Sequence, residues 1–305
     1  MPRSNDTRTA ATTGRPARNG RRRTLRREAP STVGLLADAG DFAAMRGYRS
    51  FTFDDHRDYL DHVDRLLRSL AAQGIHTTVT LFDPEEYADF CADYGLDPDT
   101  SGARTRFTAE LAGGAGGLPY AGQPIDELVP LLVDAAVRQA TWEYARSLLT
   151  EVGRCADCGE DIGTASIERA TRALRHLVDR AGPGHHHLVC SVPAREEQLV
   201  AVLHADSGPG IRPRVDGRDG LDFVTVLAAG LALGGPGGLV LRSTTDSGRD
   251  RVHGWRLDRG RLVPLSAAAV FNAYCTDADT GDPVAPEPGV DYCPGYEVDE
   301  PGPHH

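Results

Sequence analysis

The only grouped soft metal ligands of this chain lie in one stretch. Cys155 and Cys158 are followed at once by Gly159, and 27 positions further on His185, His186 and His187 lead to Cys190. A Cys-x2-Cys turn closed by glycine lets backbone N–H groups point at both sulfurs, and His187-x2-Cys190 repeats the spacing. Cys155, Cys158, His187 and Cys190 together make the three-thiolate, one-imidazole set that tetrahedral zinc accepts, so a structural zinc site is one expectation. The segment between the two halves argues the other way. Residues 166–180 carry Ile167, Ala170, Leu174 and Leu177 at helical spacing, whereas zinc ribbons place short hairpins there. The histidines also suit a solvated turn after Gly182-Pro183-Gly184, and Cys190 lies among Leu188, Val189 and Val192, where a thiol is ordinary core filling. A redox dithiol at Cys155 and Cys158 is a third reading.

A second set of candidates is acidic. Two β-branched or aromatic stretches, each followed by a helix, predict parallel strands whose carboxyl edge carries Asp54, Asp55 and His56 together with Asp83 and Glu85. Open α/β sheets bind ligands at that edge. Carboxylates converging there could hold Mg²⁺ or act as general acid and base, which would make the chain a metal-dependent hydrolase. The competing reading is capping, because Asp54, Asp55 and Asp83 stand where helix N-caps belong and first-turn acids favour the helix dipole. Serine-triad chemistry has no Gly-x-Ser-x-Gly elbow to rest on, and Cys91, between Phe90 and Tyr94 on a helical stripe, reads as core.

Composition removes further classes. All 33 basic residues are arginine. A Walker A lysine, a Schiff-base lysine and a lysine base are therefore excluded, and with them P-loop nucleotide hydrolysis, pyridoxal chemistry and class I aldolase chemistry. The glycine run at 112–117 follows a predicted helix, lacks the Gly-x-Gly-x-x-Gly spacing and reads as a loop. The net charge of −11 is unevenly spread: residues 1–30 hold nine arginines against Asp6 and Glu28, a net +7, which leaves −18 on the rest. With Leu25 as its one bulky apolar residue besides Met1, that arm is expected to be disordered and to contact nucleic acid or another anionic surface through arginine–phosphate pairs.

The elements that must position these groups are legible from periodicity. Residues 48–53 read as a strand, 54–73 as a helix ended by Gly74, 76–82 as a strand and 83–94 as a helix ended by Gly95. A short helix through Phe107 and a long one over 125–150, with Pro130 as a kink or true start, complete a first domain. Beyond Gly153, strands at 187–192 and 198–204, a buried helix at 221–233 and a meander of strands at 239–242, 252–257 and 261–265 follow, then a helix at 267–274. The predicted class is α/β or α+β: an N-terminal parallel βαβα module with extra helices, then a smaller mixed module with an antiparallel meander. The expected division is an arm at 1–33, domains at 34–152 and 153–275, and a mostly extended acidic, proline-rich tail at 276–305.

No apolar stretch approaches the ~18 residues that span a bilayer. The arginines at 21–27 precede Asp38 and Asp41 where a signal peptide needs an apolar core, so a cytoplasmic address is expected. The functional expectation is a non-catalytic regulatory or interaction protein that contacts a polyanion or a protein partner, with the cysteine–histidine group as its candidate zinc staple. The metal-dependent hydrolase is the alternative.

Overall fold

The computed structural model describes residues 31–111, 116–195, 197–208, 217–244, 248–277 and 279–298. The arginine-rich arm, most of the glycine run and the end of the tail lie outside these residues. The chain forms two compact units, Met1–Ala136 and Val137–His305, and the α/β or α+β class holds: helices accompany one sheet of three strands and one of six.

In the first unit β1 (Ser31–Leu35) and β2 (Thr77–Leu81) pair in parallel, Ser31 opposite Thr77 through to Leu35 opposite Leu81. The short β3 (Leu118–Pro119) adds antiparallel to the other side of β2. Parallel neighbours need a crossover, supplied here by α1 (Ala39–Met45) and α2 (His56–Ala72); α3 (Pro84–Asp93) and α4 (Ser101–Leu111) follow β2. The helix starts are capped: Asp38, Asp55 and Asp83 each accept hydrogen bonds from the backbone N–H groups two and three residues on. Two of the stops use a left-handed glycine. At Gly74 (φ 71°) the Ile75 N–H bonds back to Leu70 O, and at Gly95 (φ 61°) Leu96 N–H bonds back to Cys91 O.

One predicted strand is corrected. Residues 48–53 are irregular, and the first strand is 31–35, so the predicted arm of 1–33 reached into β1. The alternation of Phe51 and Phe53 reflects an aromatic cluster: both rings pack on Tyr59, and Phe51 also meets Phe42 edge-on at 5.6 Å.

The second unit is built on the strand order β5-β4-β6-β7-β8, with β4 (Gly184–Ala194), β5 (Glu197–Ser207), β6 (Gly237–Thr244), β7 (Asp250–Asp258) and β8 (Arg261–Pro264) successively antiparallel neighbours. The helices α6 (Ile162–Ala181) and α7 (Arg218–Leu233) share one core with the sheet face that carries Leu188, Cys190, Leu203, Leu241 and Trp255. The long α5 (Ile125–Glu151) places Leu128 and Leu132 in the first unit's core and Ala145, Leu148 and Leu149 in the second's, which is why the division falls inside it. The short α8 (Ala267–Tyr274) covers Gly254 on the opposite sheet face, where a Cβ would meet Val270 Cγ2 at 3.1 Å. The β7–β8 turn has Arg259 and Gly260 both at positive φ (52° and 71°), the conformation that a two-residue hairpin requires.

The tail departs from the expected extended run. The strand β9 (Val290–Tyr292) pairs in parallel with β7, Trp255 Nε1 donates to Tyr296 O at 2.8 Å, and Val298 joins the core. Its acids are used as well: Glu287 takes a two-pronged bond from Arg242, and Asp291 pairs with Arg249. Proline and acid content concealed a few apolar anchors. No helix of the described residues is long and apolar enough to cross a membrane.

Helix and sheet approach closely at Gly230 on α7, where a Cβ would stand 2.7 Å from Leu257 Cδ1 and 2.8 Å from Val192 Cγ2. Gly230→Val is expected to cost about 1–3 kcal/mol through overpacking. Gly102→Ala, with nothing within 4 Å of its Cβ, should leave the urea midpoint unchanged or raise it.

Candidate ligand site at the carboxyl edge of the first sheet

A cavity of about 260 Å³ opens at the end of β1, between the 50–53 segment, α2 and α4. Phe51, Phe53, Tyr59, Phe82 and Met45 give it an apolar wall, and Ser50, Thr52, Thr108 and Arg104 give it polar edges. Gly34 lines both this cavity and an open groove of about 560 Å³ along β1, which also share Arg104 and Thr108. A Cβ at Gly34 would stand 2.9 Å from Phe82 Cδ2, so glycine is what lets that ring close the wall.

Among the described residues, Arg104 is the one cation of the cavity wall. From α4 its Nη1 donates to Ser50 Oγ at 2.8 Å and its Nη2 to Ser50 O at 3.2 Å, while Ser50 N–H is itself held by Asp99 Oδ1 at 2.7 Å. Among the described residues no carboxylate forms an ion pair with this half-buried guanidinium. A guanidinium presents a planar fork suited to carboxylate or phosphate, and one partly withdrawn from water without a countercharge favours an incoming anion.

The same edge is crowded with acids. Asp41 is pushed up to about 6, by burial first, then by its hydrogen bond to Asp38 and by the charges of Asp38, Asp83 and Glu85. Asp38 is held below the usual carboxylate range, chiefly by the backbone N–H of Asp41. The pair thus keeps one proton up to about pH 6. His56 adds a ring at this edge, its Nε2 3.1 Å from Leu36 O and its face tilted on Phe42 at 5.1 Å.

Of the acids singled out in the sequence, Asp55 and Asp83 are engaged as helix caps, Asp54 and Glu85 are exposed, and Glu85 contributes to the field at Asp41. Asp38, Asp41, Ser50 and Arg104 were not singled out. The cue to Asp38 was a capping aspartate before an apolar helix, and the cue to Gly34 was an isolated glycine in a strand. Nothing in sequence marks Arg104, which is one arginine among 33.

Residues 20–123 match the family model DUF8829, a domain of unknown function. The matched span contains every residue that lines the cavity. No curated protein and no solved structure matches the chain.

The cysteine and histidine candidates lie in the second unit. Cys155 and Cys158 sit in a small hairpin closed by the Arg154–Asp161 bridge, with Cys155 N–H on Glu160 O at 2.8 Å and Gly159 N–H on Cys155 O at 2.9 Å. Backbone N–H groups of Cys158 and Asp157 hold the Cys155 thiol below its usual range. Cys190, by contrast, is completely buried and burial pushes its thiol up to about 12. His187 and Cys190 are three residues apart on β4, so they leave opposite faces of the sheet: Cys190 enters the core and His187 is exposed. The predicted four-ligand set is not brought together, and among the described residues no three His, Cys, Asp or Glu side chains are placed to hold a metal as they stand. His186 points inward on the same strand face as Cys190, with Leu188 between them, and ties strand ends together, Nδ1 to Ser243 Oγ at 2.9 Å and Nε2 to Gly182 O at 2.9 Å.

The raised Asp41 carboxyl sets a pH dependence. A carboxyl that holds its proton more tightly folded than unfolded contributes stability that is complete below its unfolded value, near 4, and is lost as pH rises through about 6. Asp41→Asn removes that loss. Its urea midpoint relative to the parent is expected to rise between about pH 4 and about pH 6 and to level off above that; a constant difference across this range would show that Asp41 titrates normally.

Proposed function

We propose that the first unit is a ligand-binding module for a small molecule that joins an anionic group to an apolar or aromatic body, and that the chain acts as a regulatory binding protein. The observation that carries this reading is Arg104, a cation with no ion-paired acid among the described residues, in the wall of a cavity that also presents Phe51, Phe53, Tyr59 and Phe82. Concave, mostly apolar pockets with a few convergent polar groups are where proteins hold small ligands, and the carboxyl end of a parallel strand is a usual place for one. The ring faces of Phe51 and Phe53 would take the body, and the guanidinium would exchange its Ser50 bonds for the anion.

The test is a thermal-shift and calorimetric screen with small aromatic and aliphatic carboxylates and their neutral amides. A ligand at about 100 times its Kd stabilises by about 2.7 kcal/mol. The carboxylates should shift the melting temperature, the amides should not, and Arg104→Gln should abolish the shift. Equal binding of acid and amide, or hits indifferent to Arg104→Gln, would sink the proposal.

Hydrolysis at the same edge is the second reading, favoured by the carboxyl of Asp41, which retains its proton toward neutrality as a general acid does. Loss of a measured ester or phosphoester turnover in Asp41→Asn, with folding intact, would decide for it. The proposal also keeps the arginine-rich residues 1–30 as a contact for a polyanion and a cytoplasmic setting. Binding of duplex DNA should weaken steeply with salt and disappear when residues 1–30 are deleted.

A further inference from the structure

The outer face of the second sheet carries a cluster of its own. β4 and β5 pair with His187 opposite His204 and His185 opposite Asp206. All four side chains are exposed, on the face opposite the one that packs on α6 and α7. Directly opposed residues on antiparallel strands hold their Cβ atoms about 5 Å apart, and diagonal neighbours remain within reach of long side chains. Three imidazoles and a carboxylate therefore share one patch. We propose that this patch is a zinc site, with His185, His187 and His204 as ligands and Asp206 as the positioning residue behind His185.

The hydrogen bonds and charges around the patch support this assignment. His185 Nδ1 lies 2.6 Å from Asp206 Oδ1. An Nδ1–H donated to a carboxylate leaves the Nε2 lone pair free and aimed, which is how metal-ligating histidines are usually held. His187 and His204 stack with ring centroids 4.6 Å apart and planes 11° from parallel. Arg242, opposite His187 on β6, would repel a cation if left unpaired, but Asp250 takes its Nε at 2.6 Å and Glu287 its two terminal nitrogens at 2.9 and 2.8 Å.

The stacked rings do not converge on one point as they stand. Rotation between staggered wells of exposed side chains is what brings their nitrogens to the ~2.0–2.1 Å that zinc–imidazole bonds need. A ligand set of imidazoles favours zinc and its late transition-metal neighbours over magnesium or calcium. A fourth position, open to solvent, would hold water. This site uses His187 but none of the cysteines of the spacing-derived set, so the two are separable.

The untagged full-length chain, stripped with chelator, is titrated with Zn²⁺ against a chromophoric competitor. One equivalent should bind. Affinity should fall by about tenfold or more in His187→Gln and in His204→Gln, by about 10- to 100-fold in Asp206→Asn, and stay unchanged in the Cys155→Ser/Cys158→Ser double variant. These side chains are exposed, and unchanged circular dichroism and urea midpoints confirm that the variants fold. Absence of zinc binding, binding that survives the double His187→Gln/His204→Gln variant, or binding lost with the cysteines alone would each overturn the assignment.

Discussion

The parallel pairing of β1 with β2 is the constraint on which the first unit depends. Two strands side by side and pointing the same way cannot be joined by a turn, so the chain must leave the carboxyl end of one and return through helices. Leu36 and Phe82, the residues that follow the two strands, are therefore brought to the same edge. The next residues must start helices, and aspartate is the residue that starts them best: Asp38 opens α1 and Asp83 opens α3. The acidic edge is thus a by-product of topology and capping before it is anything chemical. Asp41, in the first turn of α1, lies at this edge, and burial first, then its bond to Asp38 and the charges of Asp38, Asp83 and Glu85, raise its carboxyl to about 6.

How far the fold could be read from sequence depends on whether the signal was local. Helix 56–72, its stop at Gly74, and helix 84–93 with its proline start follow from caps and glycines within the element itself, and the structure has each of them. The β1 strand escaped because Ser31-Thr32-Val33-Gly34-Leu35 has neither clean alternation nor a long apolar run, and its partner lies 46 residues away at Ser31–Thr77. Phe51 and Phe53 misled in the opposite sense, since period-two aromatics are produced equally well by a ring cluster. The tail misled by composition, because the bonds that hold Tyr296 and Glu287 depend on residues 41 and 45 positions distant.

The candidate sites show the same division. Cavity residues come from β1, the 50–53 segment, α2 and α4, and only the tertiary fold gathers them; Arg104 carries no local mark at all. The cysteine and histidine spacing was visible, but its meaning reversed once the element was known. In a turn, a His-x2-Cys pair converges. In a strand the side chains alternate, so the same spacing sends one to the core and the other to water, which is what β4 does with Cys190 and His187.

That alternation also explains why three adjacent histidines differ so sharply in character. His186 falls on the inward face, where both ring nitrogens must find partners, and it finds Ser243 on one side and the Gly182 carbonyl on the other. His185 and His187 fall on the outward face with spacing two, and the antiparallel register sets Asp206 and His204 against them. Moving the pairing by one residue would exchange these roles, placing two imidazoles in the core and one at the surface. What holds the register is the inward set of Leu188, Cys190 and Val192, each less than 2% exposed. The apolar core under the strand, the Cys190 thiol included, therefore decides which histidines face outward and are free for chemistry.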